Sequence, residues 1–128
     1  SVDQGATTVW ERWNSYTKQD GFGPVSMNSF NHYAYGAVAE WMFSTMAGIR
    51  PDPATPGYRH FILAPVPDRR LGFVTARQRT PFGEIVSAWR YEGDAWRWTF
   101  TIPAGTTATV KRPGEKTERI YEAGTHSL

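Results

Sequence analysis

The segment RPDPATPG, residues 50–57, divides the chain into two stretches with different periodicity. Its three prolines and one glycine cannot continue a helix, because proline lacks an amide donor and clashes with the preceding turn. Residues 51–57 therefore read as a linker between a first region, 1–50, and a second, 58–128. In the first region Phe30, Tyr33, Ala34, Ala37, Val38, Trp41, Met42 and Met46 recur at steps of three and four. That spacing predicts a helix beginning near residues 26–30. Asn28 or Ser29 is the expected N-cap, and Gly48 is expected to end the helix in the left-handed conformation, with Pro51 preventing continuation. The apolar stripe is wide, so the helix is expected to be buried on most sides. A single such helix needs partner helices that this chain does not supply. The first region therefore reads as the tail of a larger helical domain.

The second region is patterned for strands. In AWRWTFTI, residues 95–102, Trp96, Trp98, Phe100 and Ile102 alternate with Arg97, Thr99 and Thr101. EIVSAWRYE, residues 84–92, places Ile85, Trp89 and Tyr91 on one face, and residues 92–94 are expected to form the hairpin between the two strands. Further strands are expected at 57–65, 71–80, 106–112 and 118–128, with residues 103–105 as a turn. Short strands separated by turn residues predict a small antiparallel β-sandwich. The expected fold class is thus mixed α and β, with terminal helical elements followed by a sandwich.

Composition narrows the function classes. The aromatic content of 15% includes six tryptophans, which suit either a flat-faced ligand such as a sugar or a β core rich in rings. The net charge is only +2, and eleven arginines and three lysines are scattered along the chain, which argues against a nucleic-acid partner. No apolar run approaches the length of a membrane span, about 20 residues. The absence of cysteine excludes disulfides and thiolate metal sites, and no two histidines have metal-ligand spacing. No cofactor or metal is expected. The start at Ser1, without an initiator methionine and within five residues of a dense motif, suggests a processed or excised piece. The compartment is left open.

That motif is GATTVWERW, residues 5–13, in which Glu11 lies between Trp10 and Trp13. Burial beside the rings disfavours a carboxylate and the adjacent Arg12 favours one, an environment suited to a general base or acid. The alternative is a salt-bridged acid on a short helical turn. His32 falls near the start of the expected helix, where the positive end of the dipole favours a neutral imidazole, either hydrogen-bonding a ligand or satisfied in the core. Glu40, two turns later, reads as a salt-bridging acid, Asn28 and Asn31 as cap and surface residues, and His60 and His126 as structural.

Taken together, GATTVWERW, SMNSFNHYAYGAVAEWMF (26–43) and AGI (47–49) resemble the C-terminal stretch of bacterial α-L-rhamnosidases of the inverting glycoside hydrolase type. GYRHFILAPVP (57–67), TPFGEIVSAWR (80–90) and TIPAGTTATV (101–110) are similar to the sandwich that closes those enzymes. The resemblance spans almost the whole chain, with the first motifs the more specific. It implies a catalytic (α/α)6 barrel, of which residues 1–50 are the end, followed by the sandwich. It also implies that Glu11 is the general base activating water, that His32 contacts substrate and that Trp10 packs against the sugar. The substrate class would be terminal α-L-rhamnosides, hydrolysed without a cofactor.

Ala39 stands where that family usually has glycine, a departure that bears on helix packing. The general acid belongs to an upstream motif with no counterpart in residues 1–128, so the isolated chain is expected to be inactive. Its partner would be the upstream barrel, and apolar helix faces separated from that barrel are expected to promote self-association. Two other classes fit the residues: a carbohydrate-binding or structural sandwich module, and the end of a different (α/α)6-barrel glycosidase.

Overall fold

A computed structural model describes residues 1–128, which divide into two compact units, Ser1–Glu40 and Trp41–Leu128. The first unit is held largely by turns. A 3-10 turn over Val2–Gln4 precedes a minimal hairpin of β1 (Tyr16–Thr17) and β2 (Gly21–Phe22), and a second 3-10 turn covers Val25–Met27. Asn28 closes this segment, donating from Nδ2 to the carbonyls of Ser15 at 3.0 Å and Gly23 at 3.3 Å.

The expected long helix is shorter and irregular: α1 (Tyr33–Gly36), α2 (Val38–Trp41) and a π-helical turn over Met42–Met46 follow one another, with Ala37 between the first two still in the right-handed region. His32 occupies the N-cap position of α1 with extended backbone angles, and so precedes the helix. Asn28 ties loops together instead of capping a helix. The physical reason is the lack of a burial partner. None of the residues in these pieces is buried, and Tyr33, Val38 and Trp41 are all more than half exposed. Isolated helices below about 12–15 residues are marginal without a packed apolar face. The molecule is therefore mostly β, and the mixed α and β expectation holds only in its β part.

The β unit begins earlier than the periodicity break suggested. Gly48 takes a φ of 76°, as expected, and a Cβ there would lie 2.1 Å from the Pro65 nitrogen. Ile49–Pro51 then forms β3, which pairs antiparallel with β4 (His60–Leu63). The first residue of the expected linker, Pro51, is thus part of the sheet, and an Asp52–Thr55 bridge begins the connection to β4. Proline is tolerated here because β3 is an edge strand.

The remaining strands are β5 (Phe73–Thr80), β6 (Gly83–Glu92), β7 (Ala95–Lys111) and β8 (Glu118–Ser127). They form one six-stranded sheet in the order β3-β4-β7-β6-β5, with β8 also paired to β7. The β6–β7 hairpin turns at Gly93 and Asp94, with Gly93 at a φ of 61° as a type II′ turn requires. Residues 103–105 do not end a strand. They lie in an irregularity within the 17-residue β7, where Ile102 pairs with Gly124 and Thr107 with Glu122. Four β7 residues thus oppose the single β8 residue Ala123, and Thr106 closes the distortion by donating to the Pro103 carbonyl at 2.8 Å. Before this bulge β7 pairs with β6; after it, β7 pairs with β4, and that pairing is parallel. Strands that change partners at a bulge are how sheets turn corners around a core.

One core cluster draws on both arms of β7: Trp98, Phe100 and Ile102 before the bulge, Ala108 and Val110 after it. Ile49, Phe61, Leu63, Ile85 and Trp89 complete its large members. At its centre the Ser87 hydroxyl donates to the Ala47 carbonyl at 2.7 Å and accepts from Trp98 Nε1 at 3.0 Å. Trp89 Nε1 donates to the Met46 carbonyl at 2.7 Å. Ser87→Ala leaves two buried polar groups without partners, at about 1–3 kcal/mol each. Urea denaturation followed by the near-UV signal of the buried tryptophans is expected to show a loss of about 2–6 kcal/mol, whereas Thr125→Ala on the exposed face should cost within about 0.5 kcal/mol.

Candidate active site

Two stretches of the first unit, residues 8–11 and 29–32, lie side by side. The Glu11 amide donates to the Ser29 carbonyl at 2.8 Å, and the Ser29 amide donates back to Glu11 Oε2 at 2.8 Å. The His32 amide donates to the Val9 carbonyl at 2.7 Å, and the Thr8 hydroxyl donates to the Phe30 carbonyl. Aromatic packing supports the pairing. Trp10 meets Phe30 edge to face at 5.2 Å, Phe30 meets Phe22 at 5.7 Å, and Phe22 meets Tyr16 at 5.1 Å.

This pairing brings together the three residues singled out in the sequence. Glu11 and His32 are 21 positions apart, yet His32 Nε2 lies 3.9 Å from Glu11 Oε1. Their side chains are 18% and 25% exposed, respectively. The separation is too long for a hydrogen bond and becomes an ion pair only if the imidazole is protonated. The two carboxylate oxygens therefore differ: Oε2 is held by a backbone amide, while Oε1 keeps its lone pairs for another donor. His32 Nδ1 is buried without a hydrogen-bond partner, and its ring packs on Tyr35 at 4.5 Å.

A cleft of about 790 Å³ has Val9, Trp10, Glu11, Arg12, Trp13 and Tyr35 in its wall, whereas His32 lines a separate, more open hollow with Thr8, Asn31 and Tyr33. The volume lies within the range of small-molecule sites, about 300–1,000 Å³. In the sequence Trp13 reads as one of two rings flanking Glu11, either in the core or lining a pocket. The structure leaves it 85% exposed, a flat apolar surface in the cleft wall. Arg12 forms no ion pair with Glu11, and its amide is bound to Ser15 Oγ at 3.2 Å; the group facing Glu11 is His32. Tyr35 went unnoticed in the sequence, although its spacing of three from His32 puts both on one side of a helical turn.

Asn31 donates its amide to Ser29 Oγ at 3.3 Å, within the loop that carries His32. The other two histidines lie in the sheet. His60 is fixed between Thr107 Oγ1 at 2.7 Å and Thr109 Oγ1 at 2.9 Å, and His126 stacks on Phe100 at 5.3 Å with Nε2 3.0 Å from the Glu122 carbonyl. Both rings are thus engaged by other residues of the sheet.

Comparison with known proteins gives a consistent pattern. Residues 48–127 match the bacterial α-L-rhamnosidase C-terminal domain, and residues 1–46 match the bacterial α-L-rhamnosidase 6-hairpin glycosidase domain. An α-L-rhamnosidase of Formosa agariphila is 44% identical over 94% of the chain, which covers 13% of that relative. An α-L-rhamnosidase of Streptomyces avermitilis is 39% identical over 93% of the chain, covering 11% of its length.

Among solved structures, the S. avermitilis α-L-rhamnosidase complexed with L-rhamnose superposes with a TM-score of 0.71 at 33% identity, over 98% of this chain and 14% of that one. Native α-L-rhamnosidase from Aspergillus terreus gives a TM-score of 0.77 at 32% identity, over 99% of this chain and 15% of that one. The chain thus spans about an eighth of the length of the curated relatives it matches. With more than half of its residues matched by one family model and nearly all the rest by the adjoining one, the chain belongs to the bacterial α-L-rhamnosidase family.

Proposed function

We propose that this chain is the closing part of an α-L-rhamnosidase that removes terminal α-L-rhamnose from glycans or glycosides by inverting hydrolysis. Residues 1–50 would complete an (α/α)6 catalytic barrel, and residues 58–128 would form the β-sandwich that follows it. The observation that carries the reading is the asymmetry of Glu11, with one oxygen bound to the Ser29 amide and the other free beside His32 in the wall of a cleft.

Inverting hydrolysis uses two carboxyl groups about 6.5–9.5 Å apart, one protonating the leaving oxygen and the other drawing a proton from the attacking water. Glu11 fits the second role. Its fixed Oε2 sets the plane of the carboxylate, and Oε1 can accept the proton of a water within hydrogen-bond reach. The water oxygen then bonds to the anomeric carbon as the glycosidic bond breaks on the opposite face. His32 would contact the sugar from the same side, held in place by its backbone bond to Val9 and by Tyr35. Trp10 would supply an apolar wall for the C–H face of the ring. The general acid would come from the rest of the parent enzyme, and no cofactor takes part.

Two assays on an aryl α-L-rhamnoside test this reading. The 128-residue chain alone is expected to show no turnover; measurable turnover would mean that no upstream acid is needed. In the full-length parent, Glu11→Gln is expected to lower kcat by about 10²–10⁴-fold with little change in the unfolding midpoint. A kcat within about twofold of the parent's would remove Glu11 from the role.

A further inference from the structure

The face of the sheet opposite the core carries a second depression, remote in sequence from Glu11. Strand register aligns Phe73, Arg90 and Arg97 in one cross-strand row. The next row on that face is Thr75, Ala88, Thr99 and Ser127. Long side chains in the first row and short ones in the second leave a trough of about 310 Å³, floored by Ala88 and the two threonines and walled by Phe73, Arg90 and Arg97.

Three properties of this trough point to one ligand chemistry. Phe73 is 68% exposed, and an apolar ring left open at the edge of a polar trough is a platform for the C–H face of a pyranose. The floor offers hydroxyls, with Thr99 Oγ1 3.3 Å from Ser127 Oγ, which can give or take hydrogen bonds from sugar hydroxyls. The wall carries unbalanced positive charge. Glu92 lies 2.6 Å from Arg90 and 3.6 Å from Arg97, so one carboxylate faces two guanidinium groups. A guanidinium fork matches a carboxylate in two parallel hydrogen bonds, and Arg97, the more loosely engaged, is the one available for it.

We propose that this trough binds a pyranose unit bearing a carboxylate, with Phe73 under the ring, Thr75 and Thr99 on its hydroxyls, and Arg97, assisted by Arg90, on the acid group. It would act as an accessory subsite that holds an acidic glycan on the enzyme. The choice of a sugar ligand rests on the proposed function; the trough itself does not. Binding is read without turnover, so its failure leaves the catalytic reading untouched.

The test is an amide-shift titration of the 128-residue chain with trigalacturonate, and with neutral maltotriose as the control. Trigalacturonate is expected to saturate at about millimolar concentration and to shift the amides of Thr75, Ala88 and Thr99 most, while maltotriose leaves them in place. Arg97→Ala and Phe73→Ala, both at exposed positions, are each expected to weaken binding at least about fivefold while the remaining spectrum stays that of the folded chain. No saturable shift at these residues overturns the proposal. So does equal binding of maltotriose, or binding that both variants leave intact.

Discussion

The candidate site depends on one reciprocal contact, the pair of hydrogen bonds between Glu11 and Ser29. The first unit has no buried helix and almost no sheet, so no regular element fixes where its side chains point. What fixes Glu11 is a main-chain amide on Oε2 and a main-chain bond from its own nitrogen, both to the same residue. An amide donor on a carboxylate is a charge-assisted bond, stronger than its neutral counterpart and directional. With residue 29 tied to residue 11, and residue 32 to residue 9, the imidazole lies beside the second carboxylate oxygen. The chemistry proposed for the site uses the oxygen that this contact leaves free.

The second unit follows a different rule, in which burial leads and hydrogen bonds follow. Trp89 and Trp98 are among its largest buried residues, and both carry an indole donor that the core has to satisfy. Trp98 reaches the Ser87 hydroxyl, which passes the hydrogen-bond chain on to the Ala47 carbonyl, and Trp89 reaches the Met46 carbonyl. These carbonyls lie at the end of the π-helical turn and just beyond it, where backbone acceptors are left over. The sheet therefore anchors the segment that leads into it, and Gly48, with no room for a Cβ against Pro65, lets the chain enter β3 at once.

Much of this was legible in the residues, for identifiable reasons. Alternation in 84–92 and 95–102 marked the core because period two is imposed locally by the strand backbone. Glu11, His32 and Trp10 stood out, although nothing in their spacing alone could bring residues 11 and 32 together. The helix starts later and runs less regularly than its wide apolar stripe suggests, because the stripe reports what a segment can bury, whereas regular formation depends on neighbours that cover it. The continuity of β7 through Pro103 and Gly105 was hidden for the opposite reason. Proline and glycine signal a turn by default, and only pairing with β8 on both sides shows that here they mark a bulge. Tyr35 is not marked by the sequence, and Trp13 is marked only as a neighbour of Glu11, because a cleft wall is defined by which rings stay exposed, a tertiary property.

Chemical rescue tests the central claim, that Glu11 activates the attacking water, more directly than loss of activity does. The full-length parent carrying Glu11→Ala would be assayed on an aryl α-L-rhamnoside with and without sodium azide, and the product analysed by proton NMR. If Glu11 is the base, azide needs no deprotonation and restores the rate, giving a rhamnosyl azide of inverted anomeric configuration. A variant that stays folded yet gains nothing from azide, or that yields an azide of retained configuration, would contradict the account.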